Sequence, residues 1–343
     1  MLGDRKIAHL DLDAFFVSCE LLRRPELIDQ PVIIAGRGSR AVVSTASYQA
    51  RALGVGSGIP ASKARRLCPQ GIFLGVDMKY YRQRSQEVME LIAGLKVPRE
   101  RASVDEVYLD ISGLEDPITR IRQLVSEIKE QLRLDASVGI GPNKLIAKIA
   151  SDLDKPQGFT VLDLEQARQR LGPERVKLIP GIGPKTAERL LSLGIEAIGE
   201  LGDYPLEDLE AAFGPRRGLD LHRKGLLLSD APIAQRVAKS RSVETTFERD
   251  LLNIDNLIKV LDKQSQKLSQ QLIERKQTGK TIGIKIRLKD FTTVTRVKTL
   301  SQPTNDSQLI FETAKELLIK YHPPTAVRLL GVRVAGFTGK AES

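Results

Sequence analysis

The chain has 343 residues, of which 41% are hydrophobic and 28% are charged, and its net charge is +10. This length exceeds one comfortable core, so we expect two to four domains of an ordinary soluble, globular protein. The sequence has no run of about 18 apolar residues that could span a membrane and begins unlike a signal peptide. Its two cysteines, Cys19 and Cys68, exclude a disulfide framework or a zinc site and favour a reducing cytoplasm.

The first predicted element is a strand within residues 6–16, an apolar run that carries two acids, Asp11 and Asp13. A helix over residues 16–28 and a short buried strand over residues 31–36 follow it. Carboxylates within an apolar strand are costly unless they are paired, so this strand is a candidate for holding a cation.

Residues 41–51 begin as a strand and continue into a helix, and a glycine-rich turn and a short helix over residues 62–67 follow. Tyr48 and Arg51 lie three apart, so a helical first turn places them on one face. A hydroxyl and a guanidinium near the N-terminus of a helix suit a phosphate. An ordinary surface arginine packed on a tyrosine ring explains the same spacing equally well.

A long helix over residues 77–95 precedes a β-branched, alternating stretch over residues 102–112 that contains Asp105 and Glu106. Burial and a like charge alongside both disfavour ionised carboxylates, whereas a divalent cation such as Mg²⁺ removes both penalties. If this stretch neighbours the first strand, Asp11 joins the pair at one metal site. A solvated strand end is the alternative for an Asp-Glu pair taken alone.

A helix over residues 117–132, a strand over residues 136–140 and a helix over residues 143–153 complete the first part of the chain. Gly139 and Gly141 are expected to serve a tight strand-to-helix turn. Strands that alternate with helices in this way indicate an α+β layer with the helices on one face.

A second glycine motif, residues 181–186, lies between helical stretches at residues 176–179 and 186–193, a pattern typical of a helix-hairpin-helix. Gly181 and Gly183 let the backbone approach a phosphate, and the following helix presents N–H groups at its positive end. Such contacts do not depend on base sequence. A plain helix-turn is the alternative.

The last third of the chain is predicted to be a βαββαβ module. Residues 233–343 hold 20 Lys and Arg against 11 Asp and Glu, so nearly all the excess positive charge lies there. In its second strand, isoleucines alternate with Lys285, Arg287 and Lys289, which predicts one oily face under the helices and one basic face. We expect Arg296 and Lys298 to continue this basic ladder on the next strand and Arg333 to join it, gripping duplex backbone.

Together these stretches resemble the Y-family, or translesion, DNA polymerases, and most closely their DNA polymerase IV branch. The resemblance covers residues 5–337, nearly the whole chain. Four motifs occur in the family's order and spacing, and the hairpin follows them: His-Leu-Asp-Leu-Asp-Ala-Phe-Phe, Ser-Thr-Ala-Ser-Tyr-Gln-Ala-Arg, Ser-Val-Asp-Glu-Val-Tyr-Leu-Asp and Lys-Ile-Ala-Ser-Asp-Leu-Asp-Lys-Pro-Gln-Gly.

The resemblance implies an α+β right hand with a ferredoxin-like palm, small fingers, a helical thumb carrying the hairpin, and a βαββαβ little finger. It also implies a template-directed DNA polymerase of the error-prone translesion type, without proofreading. The expected boundaries are a palm at 1–20 and 77–165, fingers at 21–76, a thumb at 166–232, a linker at 233–240, a little finger at 241–338 and a tail at 339–343.

The family's site roles transfer to matching positions. The resemblance implies that Asp11, Asp105, Glu106 and the Leu12 carbonyl hold two Mg²⁺ ions, with Mn²⁺ as the alternative ion. It implies that Tyr48, Arg51 and Lys155 form a triphosphate clamp and that the ring of Phe16 excludes a ribose 2′-hydroxyl. Phe15 and His9 are expected to pack in the core, Asp13 to support its strand end and Ser103 to lie behind the acids.

The expected partners are primer–template DNA and dNTPs, bound by a cytoplasmic monomer. Hairpin, charge and resemblance together mark these DNA-contacting positions: Gly181, Gly183, Lys185, Arg241, Lys285, Arg287, Lys289, Arg296, Lys298 and Arg333. A sliding clamp is a further partner in the family, whose bacterial members often dock on it by a glutamine-plus-hydrophobic tail. No such tail is seen in this sequence, so either it was trimmed or the protein docks otherwise. Residues 308–311 resemble that tail but are predicted to begin a helix.

Two other functions compete with this interpretation. A non-catalytic DNA-binding repair factor could use the hairpin and the basic sheet, but it has no reason to hold three acids near DNA phosphates. A nucleotidyl cyclase can use a similar palm, but it leaves the DNA-gripping modules unexplained. Primer extension with Mg²⁺ and four dNTPs separates the three.

Overall fold

The computed structural model describes residues 5–229, 231–234 and 237–338. The chain divides into two compact units, residues 1–37 with 41–236 and residues 38–40 with 237–343. The division at residue 237 lies within the stretch 233–240, and the finer boundaries of palm, fingers and thumb stay predictions. Among the described residues, no helix combines the length and the apolar character needed to cross a bilayer.

The first unit combines two sheets with a series of helices, and two single 3₁₀ turns at Pro25–Leu27 and Val176–Leu178. In chain order its elements are β1 (Ile7–Leu12), α1 (Phe15–Arg23), β2 (Val32–Ala35), β3 (Val43–Ala46), α2 (Tyr48–Ala52), α3 (Ala61–Leu67), β4 (Ile72–Gly75), α4 (Met78–Ala93), β5 (Arg99–Arg101), β6 (Glu106–Asp110), α5 (Pro117–Leu132), β7 (Ala136–Gly141), α6 (Lys144–Leu153), β8 (Phe159–Val161), α7 (Leu164–Leu171), α8 (Pro184–Leu191), α9 (Ile198–Asp203), α10 (Leu206–Phe213) and α11 (Pro215–Gly225).

The central sheet has the strand order β5-β6-β1-β7-β8. Strand β1 lies in its middle and pairs antiparallel with both β6 and β7. Side chains alternate along a strand, so Leu10 faces the core that it shares with Val88 of α4 and Ile121 of α5. His9 and Asp11 face the other way, where they meet residues of α6.

Helix α6 therefore covers the face opposite α4 and α5, and the expectation of helices on one face only is wrong. Two glycines of β7 allow this packing. A Cβ on Gly139 would lie 2.1 Å from the Ala147 carbonyl oxygen, and one on Gly141 would lie 2.6 Å from the Ile146 side chain. The glycines thus serve close packing of a helix on a strand rather than the turn that the sequence suggested.

The remaining parts of the first unit are a three-stranded sheet and a helical region. The small sheet has the order β3-β2-β4, with β2 antiparallel to β3 and parallel to β4. Helices α7 to α11 share a core with α6 that includes Ile146, Leu190 and Leu221. Strands β4, β5 and β8 and helix α7 were not predicted; the strands are only three or four residues long, which leaves little alternation to recognise.

The second unit is a four-stranded antiparallel sheet with two helices on one face. Its elements are β9 (Ser240–Leu251), α12 (Ile254–Glu274), β10 (Thr278–Leu288), β11 (Thr293–Thr304), α13 (Ser307–Tyr321) and β12 (Val327–Thr338). The strand order is β11-β10-β12-β9. The isoleucines of β10 are buried with α12 and α13, as the alternation predicted, and the βαββαβ order is confirmed. We call the opposite side of this sheet the open face.

Candidate functional site

Strand pairing brings the predicted acids to one end of the central sheet. Asp11 lies directly opposite Glu106 in the β1–β6 register. The next residue, Leu12, donates its backbone N–H to the Asp105 carbonyl at 3.0 Å. Residues some 95 positions apart in the sequence are therefore neighbours, as the sequence predicted.

Two lysines lie among these acids and form what we call the acid–lysine cluster, with Asp11, Glu106, Asp152, Lys148 and Lys155 as members. The Lys148 ammonium is 2.8 Å from Glu106, 3.1 Å from Asp11 and 3.1 Å from Asp152. The Lys155 ammonium is 2.6 Å from Asp11 and 2.8 Å from Asp152. Three carboxylates thus share two ammonium groups.

The electrostatics of this cluster differ between its two central acids. Burial opposes ionisation of Asp11, but the charges of Lys155 and Lys148 outweigh it and lower the pKa of this carboxyl. Burial raises the pKa of Glu106, and the neighbouring Asp11 adds to that effect. The site therefore favours the charged form of one acid and resists the charge of the other, which a further cation would correct.

Asp105 has a separate environment. Its carboxylate accepts a hydrogen bond from the Ser103 hydroxyl, whose oxygen accepts the backbone N–H groups of Asp105 and Glu106 at 3.1 and 3.0 Å. Within the described ranges, no three Asp, Glu, His or Cys side chains are grouped closely enough to hold a metal ion as they stand. Asp105 would have to turn away from Ser103 to join Asp11 and Glu106.

The donor set nevertheless fits a hard divalent cation. Asp11 is only 8% exposed, and its partners at the site are ammonium groups. The site therefore already holds positive charge next to the Asp11 and Glu106 carboxylates. Carboxylate and carbonyl oxygens are the ligands that Mg²⁺ prefers.

Asp13 supports the strand end, consistent with its expected role. It accepts hydrogen bonds from the Tyr48 hydroxyl at 3.1 Å, the Ser137 hydroxyl at 2.9 Å and the Gln157 backbone N–H at 2.8 Å. This buried carboxylate ties α2 and the loop that follows Lys155 to the end of β1.

Tyr48 and Arg51 lie on α2, beside the acid–lysine cluster. The Arg51 guanidinium carbon lies 4.6 Å from the centre of the Tyr48 ring, and its Nε donates to the Ala46 carbonyl at 2.9 Å. The structure thus contains the stacked pair that the simpler interpretation describes. Through Asp13, Tyr48 is tied to the loop that follows Lys155.

Phe16 is half-buried and rests on another aromatic ring. Its ring stacks on Tyr81 of α4, with centroids 4.4 Å apart and an interplanar angle of 15°. The buried Tyr81 hydroxyl donates to Glu20 at 2.9 Å, and Arg24 donates to the same carboxylate at 3.0 Å. Phe15 is buried in the core.

His9 is a core residue. Its Nδ1 lies 2.8 Å from the Ser151 hydroxyl, and its ring contacts Tyr108 with centroids 4.5 Å apart. Burial, and secondarily Lys148, lowers the pKa of His9 to about 3. The neutral imidazole packs between β1 and α6.

Sequence reasoning missed Lys148, Asp152, Tyr81 and Glu20. A signal existed for the first two, because Lys148 and Asp152 lie four apart on one helix and precede Lys155 in a matched motif. No comparable signal existed for Tyr81, whose contact with Phe16 joins two helices far apart in the sequence.

The hairpin lies between the 3₁₀ turn at Val176–Leu178 and α8. Gly181 has a φ of +89°, which favours glycine, and Gly183 immediately precedes the first turn of α8. Arg217 donates to the Gly181 carbonyl at 2.8 Å and Lys224 to the Pro180 carbonyl at 3.2 Å. These bonds fix the loop, while Lys185 and Gly183 remain exposed.

The basic ladder of the second unit differs from its prediction. Lys285 lies opposite Thr295, and Arg333 lies opposite Gly283, so both belong to the open face, as does Arg287. Arg296 instead lies opposite the buried Ile284. Residues directly opposite in an antiparallel pair share a face, so the assignment of Arg296 to the ladder is wrong.

Two further basic residues lie on the helix side with Arg296. Lys298 is opposite Ile282 and bonds to Glu316 of α13 at 2.5 Å. Arg241 is opposite Val334 and bonds to Gln277 at 2.7 Å. Lys289 is exposed just beyond the end of β10. The open face also carries Glu244, 3.0 Å from Lys285, so it does not bear a single sign of charge.

The remaining predictions concern the C-terminal region. Residues 308–311 form the first turn of α13, with Ile310 fully buried in the core, so this stretch is not an extended tail. The predicted tail, 339–343, lies outside the described residues.

The comparisons with known proteins cover nearly the whole chain. The sequence model of the impB/mucB/samB family matches residues 10–152, and that of its C-terminal domain matches residues 238–343. The sequence model described as the DNA polymerase-iota thumb domain matches residues 177–225, where the hairpin lies.

Similar proteins agree with these matches. A DNA polymerase IV of Dehalococcoides mccartyi is 38% identical over 98% of this chain and 88% of that protein. One of Streptococcus gordonii is 36% identical over 97% of both. A solved structure described as a Y-family DNA polymerase chimera of Dbh and Dpo4 superposes with a TM-score of 0.87 at 25% identity, covering 98% of this chain and 100% of that one. The chain therefore belongs to the Y family of DNA polymerases, in its DNA polymerase IV branch.

Proposed function

We propose that this protein is a template-directed DNA polymerase of the translesion type, which adds dNTPs to a primer 3′-hydroxyl without proofreading. The observation that carries the proposal is the register of β1 and β6, which sets Asp11 against Glu106 with Asp105 beside Leu12. Membership of the family supports the same activity.

The proposed metal ligands are the Asp11, Asp105 and Glu106 carboxylates and the Leu12 carbonyl, which would hold two Mg²⁺ ions, or Mn²⁺ in their place. When bound, these ions supply Lewis-acid stabilisation of the attacking 3′-hydroxyl and of the departing pyrophosphate. Asp105 would exchange its bond to the Ser103 hydroxyl for the ions, while Ser103 would still hold the turn through the backbone N–H groups of Asp105 and Glu106.

The proposed triphosphate clamp consists of Tyr48, Arg51 and Lys155. Lys155 bonds to Asp11 and Asp152, and an incoming triphosphate would offer its ammonium a stronger anionic partner. Asp13 would position the clamp, because it bonds to Tyr48 and to the loop that follows Lys155.

Phe16 is proposed as the ring that lies under the sugar and excludes ribonucleotides. The stack on Tyr81 would keep this ring from yielding to a 2′-hydroxyl. Phe16→Ala should therefore admit ribonucleotides, measured as the ratio of dNTP to rNTP incorporation. Phe15→Ala is the matched variant, since it lies next in the sequence but faces the core; unchanged sugar selectivity in Phe16→Ala would contradict the assignment.

The proposed duplex contacts are backbone contacts only. Gly181, Gly183 and Lys185 would meet phosphates at the start of α8, where the helix presents N–H groups. On the second unit we propose Lys285, Arg287 and Arg333 on the open face, with Lys289 at its end. Arg241, Arg296 and Lys298 are withdrawn from this set because they face the helices.

Primer extension tests the activity directly. Asp105→Ala or Glu106→Ala should abolish extension with Mg²⁺ and four dNTPs while duplex affinity barely changes. Asp110→Ala is a matched control, because it removes an acid from the far end of the same strand. Extension that survives in both acid variants would favour a DNA-binding repair factor, and cyclisation of a nucleotide without a template would favour a cyclase.

The protein is proposed to act as a cytoplasmic monomer, and its two cysteines are buried and unbridged. A sliding clamp remains a candidate partner. Bypass of damaged templates should exceed that of a replicative polymerase, which insertion rates opposite intact and lesion bases measure.

A further inference from the structure

Lys148 occupies an unusual position for a lysine, between two acids assigned to metal binding. Its ammonium lies 2.8 Å from Glu106 and 3.1 Å from Asp11, and its side chain is 19% exposed. Both acids belong to neighbouring strands of the sheet, whereas Lys148 belongs to the helix that covers them. The ammonium thus bridges the two strands at the point where their charges meet.

The Lys148 ammonium offsets the electrostatic cost of placing two carboxylates side by side. Two half-buried carboxylates side by side repel each other and lose hydration, and each effect disfavours keeping both ionised. A cation between them offsets both costs, because Coulomb attraction is stronger in a partly buried site than in water.

Lys148 also has a second partner to which it can withdraw. Asp152 lies one turn further along α6, 3.1 Å from the same ammonium, and its side chain is 40% exposed. The backbone of Lys148 cannot follow, because α6 is held against Gly139 of β7. A lysine stem is flexible, so the ammonium can swing towards Asp152 while the helix stays in place.

We propose that Lys148 is a placeholder cation, which holds Asp11 and Glu106 together in the metal-free protein and retreats to Asp152 when a divalent cation binds. The inference rests on the ligands assigned under the proposed function. It makes Lys148 a positioning residue that competes with the metal, and Lys148 thereby sets the divalent-cation concentration at which the site fills.

The placeholder role predicts opposite effects on metal binding and on the metal-free fold. In Lys148→Met the competitor is gone, so Mn²⁺ affinity of the full chain, measured by electron paramagnetic resonance, should rise by about threefold to tenfold. In chelator the same variant should melt below the wild type, and added Mn²⁺ should close that gap. Lys148→Arg, which retains the charge, should keep Mn²⁺ affinity nearer to the wild-type value.

Lys144→Met is the matched control on the same helix. Lys144 pairs with Glu100 at 2.6 Å and its side chain is 14% exposed, so its loss also removes the ammonium partner of a buried carboxylate, but one that is not among the proposed ligands. Its melting temperature should fall by the same amount with and without Mn²⁺, and its Mn²⁺ affinity should match the wild type.

The outcomes separate the placeholder from the metal assignment. If Glu106→Gln binds Mn²⁺ as the wild type does, the assigned ligands are wrong and the placeholder falls with them. If Glu106→Gln loses Mn²⁺ but Lys148→Met binds it equally or more weakly, only the placeholder is overturned. Tighter binding in Lys148→Met, together with a melting deficit confined to chelator, supports it.

Discussion

Two sheets in this molecule each carry a pair of glycines on one face. In one sheet a helix covers the glycines, and in the other they lie beside an open cavity. In the central sheet, Gly139 and Gly141 are covered by α6, whose backbone comes so close that no Cβ fits. In the C-terminal sheet, Gly283 and Gly331 lie on the open face, beside a cavity of about 370 Å³. The first pair lets the protein's own helix approach, and the second leaves a trough that no described helix fills.

The ion pairs on the two faces differ in solvent exposure, and the pair on the open face is the more exposed. Lys148 and Glu106 are 19% and 25% exposed, whereas Lys285 and Glu244 are 36% and 41% exposed. Water screens the second pair, so its contribution to stability is small and a phosphate could displace it at little cost. The charges of the covered face form the acid–lysine cluster, whereas the charges of the open face are only weakly paired.

The largest effect is expected from filling the covered face. Gly139→Ala would place a Cβ 2.1 Å from the Ala147 carbonyl oxygen and 2.3 Å from the Ser151 amide nitrogen. Both atoms belong to a helix backbone that cannot rotate away, so we expect the free energy of unfolding to fall by about 3 kcal/mol, measured by urea denaturation.

Gly113→Ala is the matched control for this substitution. A Cβ there meets no heavy atom within 4 Å and the residue has no positive φ, so its effect should stay within about 0.5 kcal/mol. If the two variants unfold at the same urea concentration, α6 is not seated on Gly139 as described.

The next effect concerns the charges of the open face. Replacing Lys285, Arg287 and Arg333 together by Met should weaken duplex binding for all sequences alike. The slope of log affinity against log salt should fall by about 2 to 3, roughly one for each lost phosphate contact. Fluorescence anisotropy at several salt concentrations measures both, and a loss that depends on base sequence would contradict backbone binding.

The sequence predicted best those elements whose signals lie within one short stretch of the chain. The bounds of α5 were predicted to the residue, since the helix has a proline at its start and a full apolar stripe. The convergence of Asp11, Asp105 and Glu106 on one metal site was also expected, on the resemblance to a family; the structure sets Asp11 opposite Glu106, whereas the Asp105 carboxylate is bonded to Ser103. Spacing alone left the pairing of the two strands open.

The failures share one cause, because each depends on a relation between distant elements. Alternation along β11 assigns Arg296 and Lys298 to one face, yet only the β10–β11 register decides which face that is. The face chosen by α6 likewise depends on two glycines in another element. Lys148 lies in a matched motif, but two of the acids that it pairs with come from β1 and β6, and its own helix does not reveal them.

A smaller effect should distinguish the two glycines of the open face. A Cβ on Gly331 would lie 2.6 Å from the Cβ of Glu244 on the adjacent strand, so Gly331→Ala should cost about 1 to 2 kcal/mol. A Cβ on Gly283 would meet the exposed Val297 side chain at 3.0 Å, which can yield, so Gly283→Ala should cost less. Thermal or urea unfolding of both variants measures the difference, and equal losses would show that the trough is not tighter at Gly331.

The smallest effect, and the sharpest test of the register, is expected from the two basic residues on the helix side. Arg296 lies over the Tyr321 ring, 4.8 Å from its centre, and Lys298 pairs with Glu316. Both partners belong to α13, so these cations point away from the open face. Arg296→Met with Lys298→Met removes two positive charges, nearly as many as the triple variant removes, from a strand next to β10.

If the total charge of the domain governed duplex binding, the salt slope of this double variant would fall by about two-thirds of the amount by which it falls in the triple variant. If the face governs it, affinity should change by less than about twofold and the salt slope should stay within about 0.5 of the wild-type value, because distant charges are screened at physiological salt. Stability should fall by no more than about 1 kcal/mol, the usual range for an exposed ion pair and a cation–π contact. A slope that falls by 2 would mean that the duplex meets the helix side of β11, and the open face would lose its assigned role.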